Sequence, residues 1–150
     1  MGRASEAALY NAASLIAGAK TPVVLLGLMA SKPKAAVAIR ELLSHTPFPV
    51  VGTFQAAGAV SQQLFPRFGG RVGQLANQPA DRLLSAADLV ITIGYDPVEY
   101  WPSLWNQGRD RTIVHNRCHT GANRQRLHAG SGTHRRHRGD AGGHVAGSAR

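Results

Sequence analysis

The chain has 150 residues, a formal net charge of +9, 43% hydrophobic residues and a single cysteine, Cys118. This length suits one domain of average size, and one cysteine excludes a disulfide-stapled secreted scaffold. No apolar run approaches the roughly 20 residues that a membrane-spanning helix needs, and residues 1–6 lack the apolar stretch of a signal peptide. We therefore expect a soluble, cytoplasmic protein with no membrane partner.

The charge divides the chain into two parts. Residues 1–115 carry ten basic and seven acidic side chains, whereas residues 116–150 carry seven Arg and one acid, Asp140. The second part contains no Phe, Tyr, Trp or Ile, so it cannot bury enough apolar surface to offset the entropy lost on ordering its backbone. We predict a folded domain over 1–115 and a disordered basic tail over 116–150.

Predicted helices and buried strands alternate along the first part. Apolar residues at helical spacing, or a proline in the first turn, predict helices over 4–20, 33–45 and 81–87. Short continuous apolar runs, which are typical of strands covered on both faces, predict strands at 23–27, 49–53, 89–94 and 112–115. Residues 54–78 are less regular, with a short helix predicted after Ser61. This order predicts an α/β fold, a Rossmann-like doubly wound parallel sheet.

Ligands of such sheets bind beyond the carboxyl ends of the strands. Gly27, Gln55 and Gly94 lie at three predicted strand ends, where glycine allows a ligand to approach the backbone, and they are the candidate cofactor-binding residues. The alternative is that these glycines only close tight turns, since no G-x-G-x-x-G motif is present. Residues 69–73 form a candidate phosphate-binding loop, for which a flexible turn is the alternative interpretation.

The aromatic residues Tyr100, Trp101 and Trp105 could stack on a ring-shaped ligand, but a subunit or domain interface explains them better. Asp96 and Glu99 form an acid pair, which caps a turn more often than it performs acid–base chemistry. No nucleophile with a base stands near them. The sequence therefore offers no catalytic residues.

The basic tail suggests two further kinds of site. His115, Cys118, His119 and His128 include only one thiolate, and their spacing matches no standard zinc finger, so we expect no metal. The Arg-rich run at 135–138 would bind nucleic acid only non-specifically and with a steep salt dependence.

Several segments resemble the central domain of thiamine-diphosphate-dependent enzymes of the acetolactate synthase family, and in particular its catabolic, butanediol-pathway branch. The matching segments are 25–31, 53–60, 67–73 and 87–100, with Trp105-Asn106 and 113–115 in register. The run Gly-Tyr-Asp-Pro-Val-Glu-Tyr at 94–100 is the most specific of them. Together these segments span nearly all of residues 4–115.

The resemblance implies the fold, the reaction and the cofactors of the family. The family condenses two pyruvates to 2-acetolactate and CO2 with thiamine diphosphate and Mg²⁺. The activating glutamate and the diphosphate–Mg²⁺ motif belong to N- and C-terminal domains that this sequence lacks. We therefore expect a fragment with a packing role that binds neither cofactor alone, and whose partners are those domains or further copies of the chain. FAD is not expected in this branch, although a stand-alone FAD-type nucleotide-binding module is the alternative function.

The resemblance stops after His115, where the family continues with an Ile-Asp-x-x-Pro pattern. When codons permitted for residues 116–137 are read one nucleotide later, they can spell Ile-Asp-Val-Ile-Pro-Ala-Arg-Ile-Asp-Asn-Ala-Tyr-Thr-Pro-Asp-Leu-Glu-Leu-Ile-Gly-Asp-Ile. This run resembles the family's continuation, including a strand. We therefore predict that residues 116–150 are translated out of frame, and that the sheet is incomplete at its C-terminal edge, with the last strand unpaired.

Overall fold

The computed structural model of the chain describes residues 4–75, 78–108, 111–116 and the backbone of 128–129. Its helices and strands, in chain order, are α1 (Glu6–Gly18), β1 (Pro22–Leu26), α2 (Pro33–Ser44), β2 (Val50–Thr53), β3 (Phe68–Val72), α3 (Pro79–Ala86), β4 (Leu89–Ile93), α4 (Pro102–Trp105), β5 (Thr112–Asn116) and β6 (His128–Ala129). Short 3-10 turns follow β1 at Leu28–Ser31 and β2 at Phe54–Ala56, and a third precedes β3 at Gln62–Arg67.

The strands form one sheet in the order β3-β2-β1-β4-β5-β6, and the first five of these are parallel. β1 and β4 lie at the centre, and nearly all their residues are buried because helices cover both faces of the sheet. The chain runs outward from β1 through β2 to β3, then returns to β4 on the other side of β1. The predicted doubly wound α/β fold is confirmed, and the switch point lies between β1 and β4.

Alternate residues of each strand point into two separate apolar cores. In β1, Val24 and Leu26 pack with α1 and α2, whereas Val23 and Leu25 pack on the other face. The second core takes apolar side chains from α3 and α4, including Trp105, which is 1% exposed. Two helices therefore cover each face of the sheet.

The structure contains a strand, β3, that the sequence does not predict. Residues 69–73 were interpreted as a phosphate-binding loop or a flexible turn, and both interpretations are wrong, because 69–72 belong to this edge strand. The pairing of β3 with β2 shifts register between Val50 and Gly52, and Gly70 has a φ of 109°. Such a bulge suits glycine and an edge position, and it interrupts the apolar pattern that identifies strands.

The last predicted strand is confirmed as β5, but part of its edge is paired. Val114 and His115 pair antiparallel with Ala129 and His128 of β6. The prediction that this strand is left unpaired is therefore wrong for two residues. Apart from Asn116 and the backbone of β6, the predicted tail lies outside the described residues.

Asp88 joins the amino-terminal ends of the two central strands. Its carboxylate accepts hydrogen bonds from the backbone N–H groups of Lys20 (2.7 Å) and Thr21 (2.9 Å), which precede β1. The Thr21 hydroxyl accepts a bond from the Asp88 N–H at 3.1 Å. These backbone donors, first that of Lys20, hold the pKa of Asp88 below its ordinary value of 3.8.

We predict that Asp88→Asn lowers the free energy of unfolding at neutral pH. Because the folded state lowers this pKa, the stabilisation by Asp88 is present above about pH 4 and is lost as the pH falls through the folded value. Urea unfolding of both proteins at pH 7 and pH 3 should show a deficit for the variant at pH 7 that shrinks at pH 3. Glu41→Gln, on the exposed side of α2, should have little effect at either pH. An equal deficit for Asp88→Asn at both pH values would contradict this account.

Candidate functional site

Three consecutive backbone N–H groups after β1 are bonded to the last residue of β4 and to the segment that follows it. Gly27 donates to the carbonyl of Ile93 and Met29 to that of Gly94, each at 3.0 Å. Between them, Leu28 donates to the Glu99 carboxylate at 2.8 Å. In a dinucleotide-binding sheet, the N–H groups of this loop point at the ligand's phosphates. Here the protein's own carbonyl and carboxylate oxygens accept all three bonds.

The two candidate glycines at the switch point allow the backbone segments to touch. A Cβ atom placed on Gly27 would lie 2.2 Å from the Cα of Tyr95 and 2.5 Å from the carbonyl oxygen of Gly94. A Cβ on Gly94 would lie 2.5 Å from the backbone nitrogen of Ala30, and Gly94 also has a φ of 60°. The structure thus brings Gly27 and Gly94 together. Glycine is required at both positions because two backbone segments of the same chain lie in direct contact there.

Gln55, the third candidate, lies on the 3-10 turn that follows β2. Its side chain is exposed, and its carbonyl oxygen accepts a bond of 3.4 Å from the hydroxyl of Ser31, at the end of the turn after β1. The backbone of Gln55 therefore joins this edge of the sheet, while its side chain points to solvent. Binding of a cofactor at Gly27, Gln55 and Gly94 stays a prediction.

Glu99 contacts three segments at this edge of the sheet, and the sequence predicts only one of these contacts. Its Oε2 accepts from the N–H of Leu28 (2.8 Å) and from the hydroxyl of Thr53 (2.6 Å), while its Oε1 accepts from the N–H of Asp96 (3.0 Å). One carboxylate therefore joins the ends of β1, β2 and β4. The bond between Glu99 and the N–H of Asp96 agrees with the interpretation of the acid pair as a turn cap. The bonds of Glu99 to the ends of β1 and β2 have no signal in the sequence.

The predicted aromatic surface is wrong for two of its three members. Tyr100 (9% exposed) and Trp105 (1% exposed) are buried in the core, and only Trp101 (64% exposed) faces solvent. The rings of Tyr95 and Trp105 meet edge to face at 6.3 Å, and the Trp105 Nε1–H donates to the Tyr95 hydroxyl at 3.3 Å. Burial raises the pKa of Tyr95 to about 12. These tyrosines are neutral, structural hydrogen-bonding groups at physiological pH.

Apolar side chains remain exposed along the carboxyl edge of the sheet, where the parallel strands end. Val98 is 81% exposed and Trp101 64%, in the segment after β4. We call the following set the carboxyl-edge apolar surface: Leu28, Phe54, Leu75, Val98 and Trp101. Apolar groups exposed on the segments that follow four neighbouring strands would suit a surface that contacts another protein unit.

A groove of about 520 Å³ lies at the opposite, amino-terminal edge of the sheet. Pro22 and Pro49, at the starts of β1 and β2, and Leu83 of α3 belong to its largely apolar lining. This groove has no signal in the sequence, since its walls come from segments that are far apart in the chain. It has no cluster of acidic, histidine or cysteine side chains that would suggest chemistry.

The family model for the thiamine pyrophosphate enzyme central domain matches residues 9–139. This match covers most of the chain and the whole described sheet. The chain belongs to this central-domain family. The predicted resemblance is thereby confirmed, and thiamine diphosphate is the cofactor of the full-length enzymes of the family.

Curated relatives of the central-domain chain include two acetolactate synthases. The chain is 48% identical over 115 residues to "Acetolactate synthase" of Bacillus subtilis (strain 168), which covers 77% of this chain and 20% of the relative. It is 49% identical over 115 residues to "Acetolactate synthase, catabolic" of Raoultella terrigena, with the same coverage. A pyruvate decarboxylase of Kluyveromyces lactis is 34% identical over 92 residues, 61% of this chain and 16% of that protein. The chain thus spans about one fifth of the acetolactate synthases that it matches.

Within the described ranges, no helix is both long and apolar enough to cross a bilayer. The same residues contain no group of three or more His, Cys, Asp or Glu side chains suited to a metal ion. Cys118 and His119 of the rejected zinc interpretation lie outside these ranges.

We predict that Gly27→Ala lowers the free energy of unfolding by about 3 kcal/mol or more, because the new methyl group would overlap the backbone of Tyr95. Gly18→Ala, at the end of α1, has no atom within 4 Å of the added Cβ and should be neutral or stabilising by about 0.5 kcal/mol. Urea unfolding of the two variants checks both values. Equal stability of the two variants would show that the close approach at Gly27 is wrong.

Proposed function

We propose that the chain is the central-domain part of an acetolactate synthase of the catabolic, butanediol-pathway type, and that it acts in the cytoplasm. The identity of 48–49% to acetolactate synthases, against 34% to a pyruvate decarboxylase, is the observation that carries this proposal. The reaction of the whole enzyme would be condensation of two pyruvates to 2-acetolactate and CO2. Neither the family match nor these relatives point to a stand-alone FAD-type module.

Two observations support the proposal that this part of the enzyme does not hold thiamine diphosphate or Mg²⁺. The N–H groups of Gly27, Leu28 and Met29, which would face a diphosphate in a dinucleotide site, are bonded within the chain. A cluster of acidic residues for a metal ion is likewise absent from the described part of the chain. We infer that both cofactors are held by other parts of the full-length enzyme, and that this chain alone binds neither and has no catalytic residue.

The role we assign to this domain is packing against other parts of the enzyme. Val98 and Trp101 would leave large apolar areas in water if nothing covered the carboxyl-edge apolar surface. About four fifths of the length of each acetolactate synthase lies outside the part that this chain matches. The partners would be the N- and C-terminal domains of the enzyme or further copies of it.

We also propose that residues 116–150 are read out of frame. The family-like run obtained one nucleotide later supports this reading. The family match, however, extends to residue 139. This extension favours the alternative, in which residues 116–139 are translated in the correct frame. DNA sequence across codons 110–120 distinguishes the two readings.

We predict that resequencing the gene shows a single-nucleotide insertion or deletion near codon 115, and that the repaired frame continues with Ile-Asp-x-x-Pro. An unaltered frame in independent sequence of the same locus would refute the frame proposal. The proposal for residues 4–115 would stand in either case, because the alignments to acetolactate synthases cover 115 residues, about as many as this part of the chain contains.

The function is tested by replacing the matching segment of the Bacillus subtilis acetolactate synthase with residues 4–116 of this chain. We expect the chimera to form acetolactate from pyruvate with thiamine diphosphate and Mg²⁺, and the isolated chain to form none. Trp101→Asp should lower the activity of the chimera at least about tenfold by disturbing packing, since buried charges are costly. The same change should leave the melting temperature of the isolated chain unaltered, because this side chain is exposed there.

Two results would contradict the proposed function. A chimera that folds and binds thiamine diphosphate but makes no acetolactate would exclude this domain from such an enzyme. A purified isolated chain with flavin absorbance near 450 nm would instead support the FAD-type module.

A further inference from the structure

We propose that the switch point of this sheet is an anion-binding site, that the carboxylate of Glu99 fills it, and that a free small carboxylate can take the place of that side chain. The ligand class is a carboxylate of the size of acetate. This inference concerns a site within the domain and is independent of the proposed function.

Three hydrogen-bond donors from different chain segments converge on the site. They are the N–H of Leu28 after β1, the hydroxyl of Thr53 at the end of β2 and the N–H of Asp96 after β4, at 2.8, 2.6 and 3.0 Å from the carboxylate oxygens. Thr53 is 1% exposed, so its hydroxyl has little access to water. Donors of this kind, fixed by the ends of strands, form a preorganised cradle for a negatively charged group.

The pattern of bonds suits an anion better than a neutral amide. Both oxygens of Glu99 accept, Oε2 from Leu28 and Thr53 and Oε1 from Asp96. A glutamine at the same position would have to turn its NH2 group toward at least one donor, whichever way the amide is placed. The site is therefore built for a group that only accepts.

The backbone around the site leaves room for the carboxylate. A Cβ atom on Gly27 would lie 2.8 Å from Oε1 of Glu99, so only glycine at this position permits the carboxylate to sit where it does. The N–H groups of Gly27 and Met29, on either side of Leu28, are engaged by backbone carbonyls. Leu28 is thus the one donor of this loop left for an anion, and Glu99 supplies that anion from within the chain.

Removal of the carboxylate would leave these donors without an acceptor in a space that matches a free ligand. Glu99→Ala deletes the Cγ, Cδ and both oxygens of the side chain, which are the four heavy atoms of acetate. Of the three donors, the hydroxyl of Thr53 is buried, and a buried donor without an acceptor destabilises the folded state. A free carboxylate that restores the three bonds should stabilise the variant by mass action.

The test is a thermal melt of the full 150-residue chain carrying Glu99→Ala, titrated with sodium acetate. In chloride buffer, we expect the variant to melt about 4–8 °C below wild type, because it loses one to two hydrogen bonds. Added acetate should raise the melting temperature of the variant, and the rise should saturate. Acetamide, which is neutral, and sodium chloride at equal ionic strength should not produce this rise. Wild type and Glu41→Ala, whose carboxylate is on the exposed side of α2, should show no acetate response beyond that of chloride.

A second variant tests the cradle itself. Adding Thr53→Val to Glu99→Ala removes one of the three donors, so we expect a weaker acetate response, with a several-fold higher half-saturating concentration. If Glu99→Ala does not fold in chloride buffer, acetate but not acetamide should restore its far-ultraviolet circular dichroism.

Acetate effects equal to those of chloride in all variants would overturn the proposal. So would a Glu99→Ala protein as stable as wild type, or one that no acetate concentration refolds.

Discussion

The hydrogen bonds between the loop after β1 and the segment after β4 are the constraint on which the rest of this structure depends. Gly27, Leu28 and Met29 all donate across the switch point, to Ile93, Glu99 and Gly94. Such an arrangement requires two backbones in direct contact, and therefore glycine at 27 and 94. It also aligns the two central strands, whose register continues unbroken from Pro22–Leu89 to Leu26–Ile93.

The same central strands are joined at their other ends by Asp88. Its carboxylate accepts from the residues that precede β1, much as the Glu99 carboxylate accepts from Leu28 in the loop after β1. Two carboxylates therefore hold the pair β1–β4, one at each edge of the sheet. The consequence for function is that the position where this fold commonly binds a ligand is filled by the protein's own groups. This arrangement supports the proposed packing role, for which the apolar side chains at the carboxyl edge offer a surface.

The sequence predicts the parts of the fold that depend on local pattern. The apolar runs of β1 and β4 are buried on both faces, so a continuous run is their direct signature. β3 escapes prediction because an edge strand with Gly69 and Gly70 has neither a continuous run nor an alternation, and its bulge shifts the register. A single-sequence pattern cannot distinguish such a strand from a loop.

The site shows the same division between local and tertiary information. Strand-end position correctly brings Gly27 and Gly94 together, since parallel strands end at one edge. The burial of Tyr100 and Trp105, and the reach of Glu99 to Thr53, depend on contacts between residues far apart in the chain. Residue type alone indicates an aromatic surface and a turn cap. The turn cap is present. The burial of the two rings and the bonds of Glu99 to the ends of β1 and β2 depend on how the segments after β4 pack against the sheet.

Amide hydrogen exchange of the full chain, resolved to single residues, tests the closed switch point most directly. The account predicts that the amides of Gly27, Leu28 and Met29 exchange as slowly as those of β1 itself, because all three are bonded and are released only when the central strands separate. Exchange of these three amides at the rate of an unprotected peptide, with β1 still protected, would contradict it.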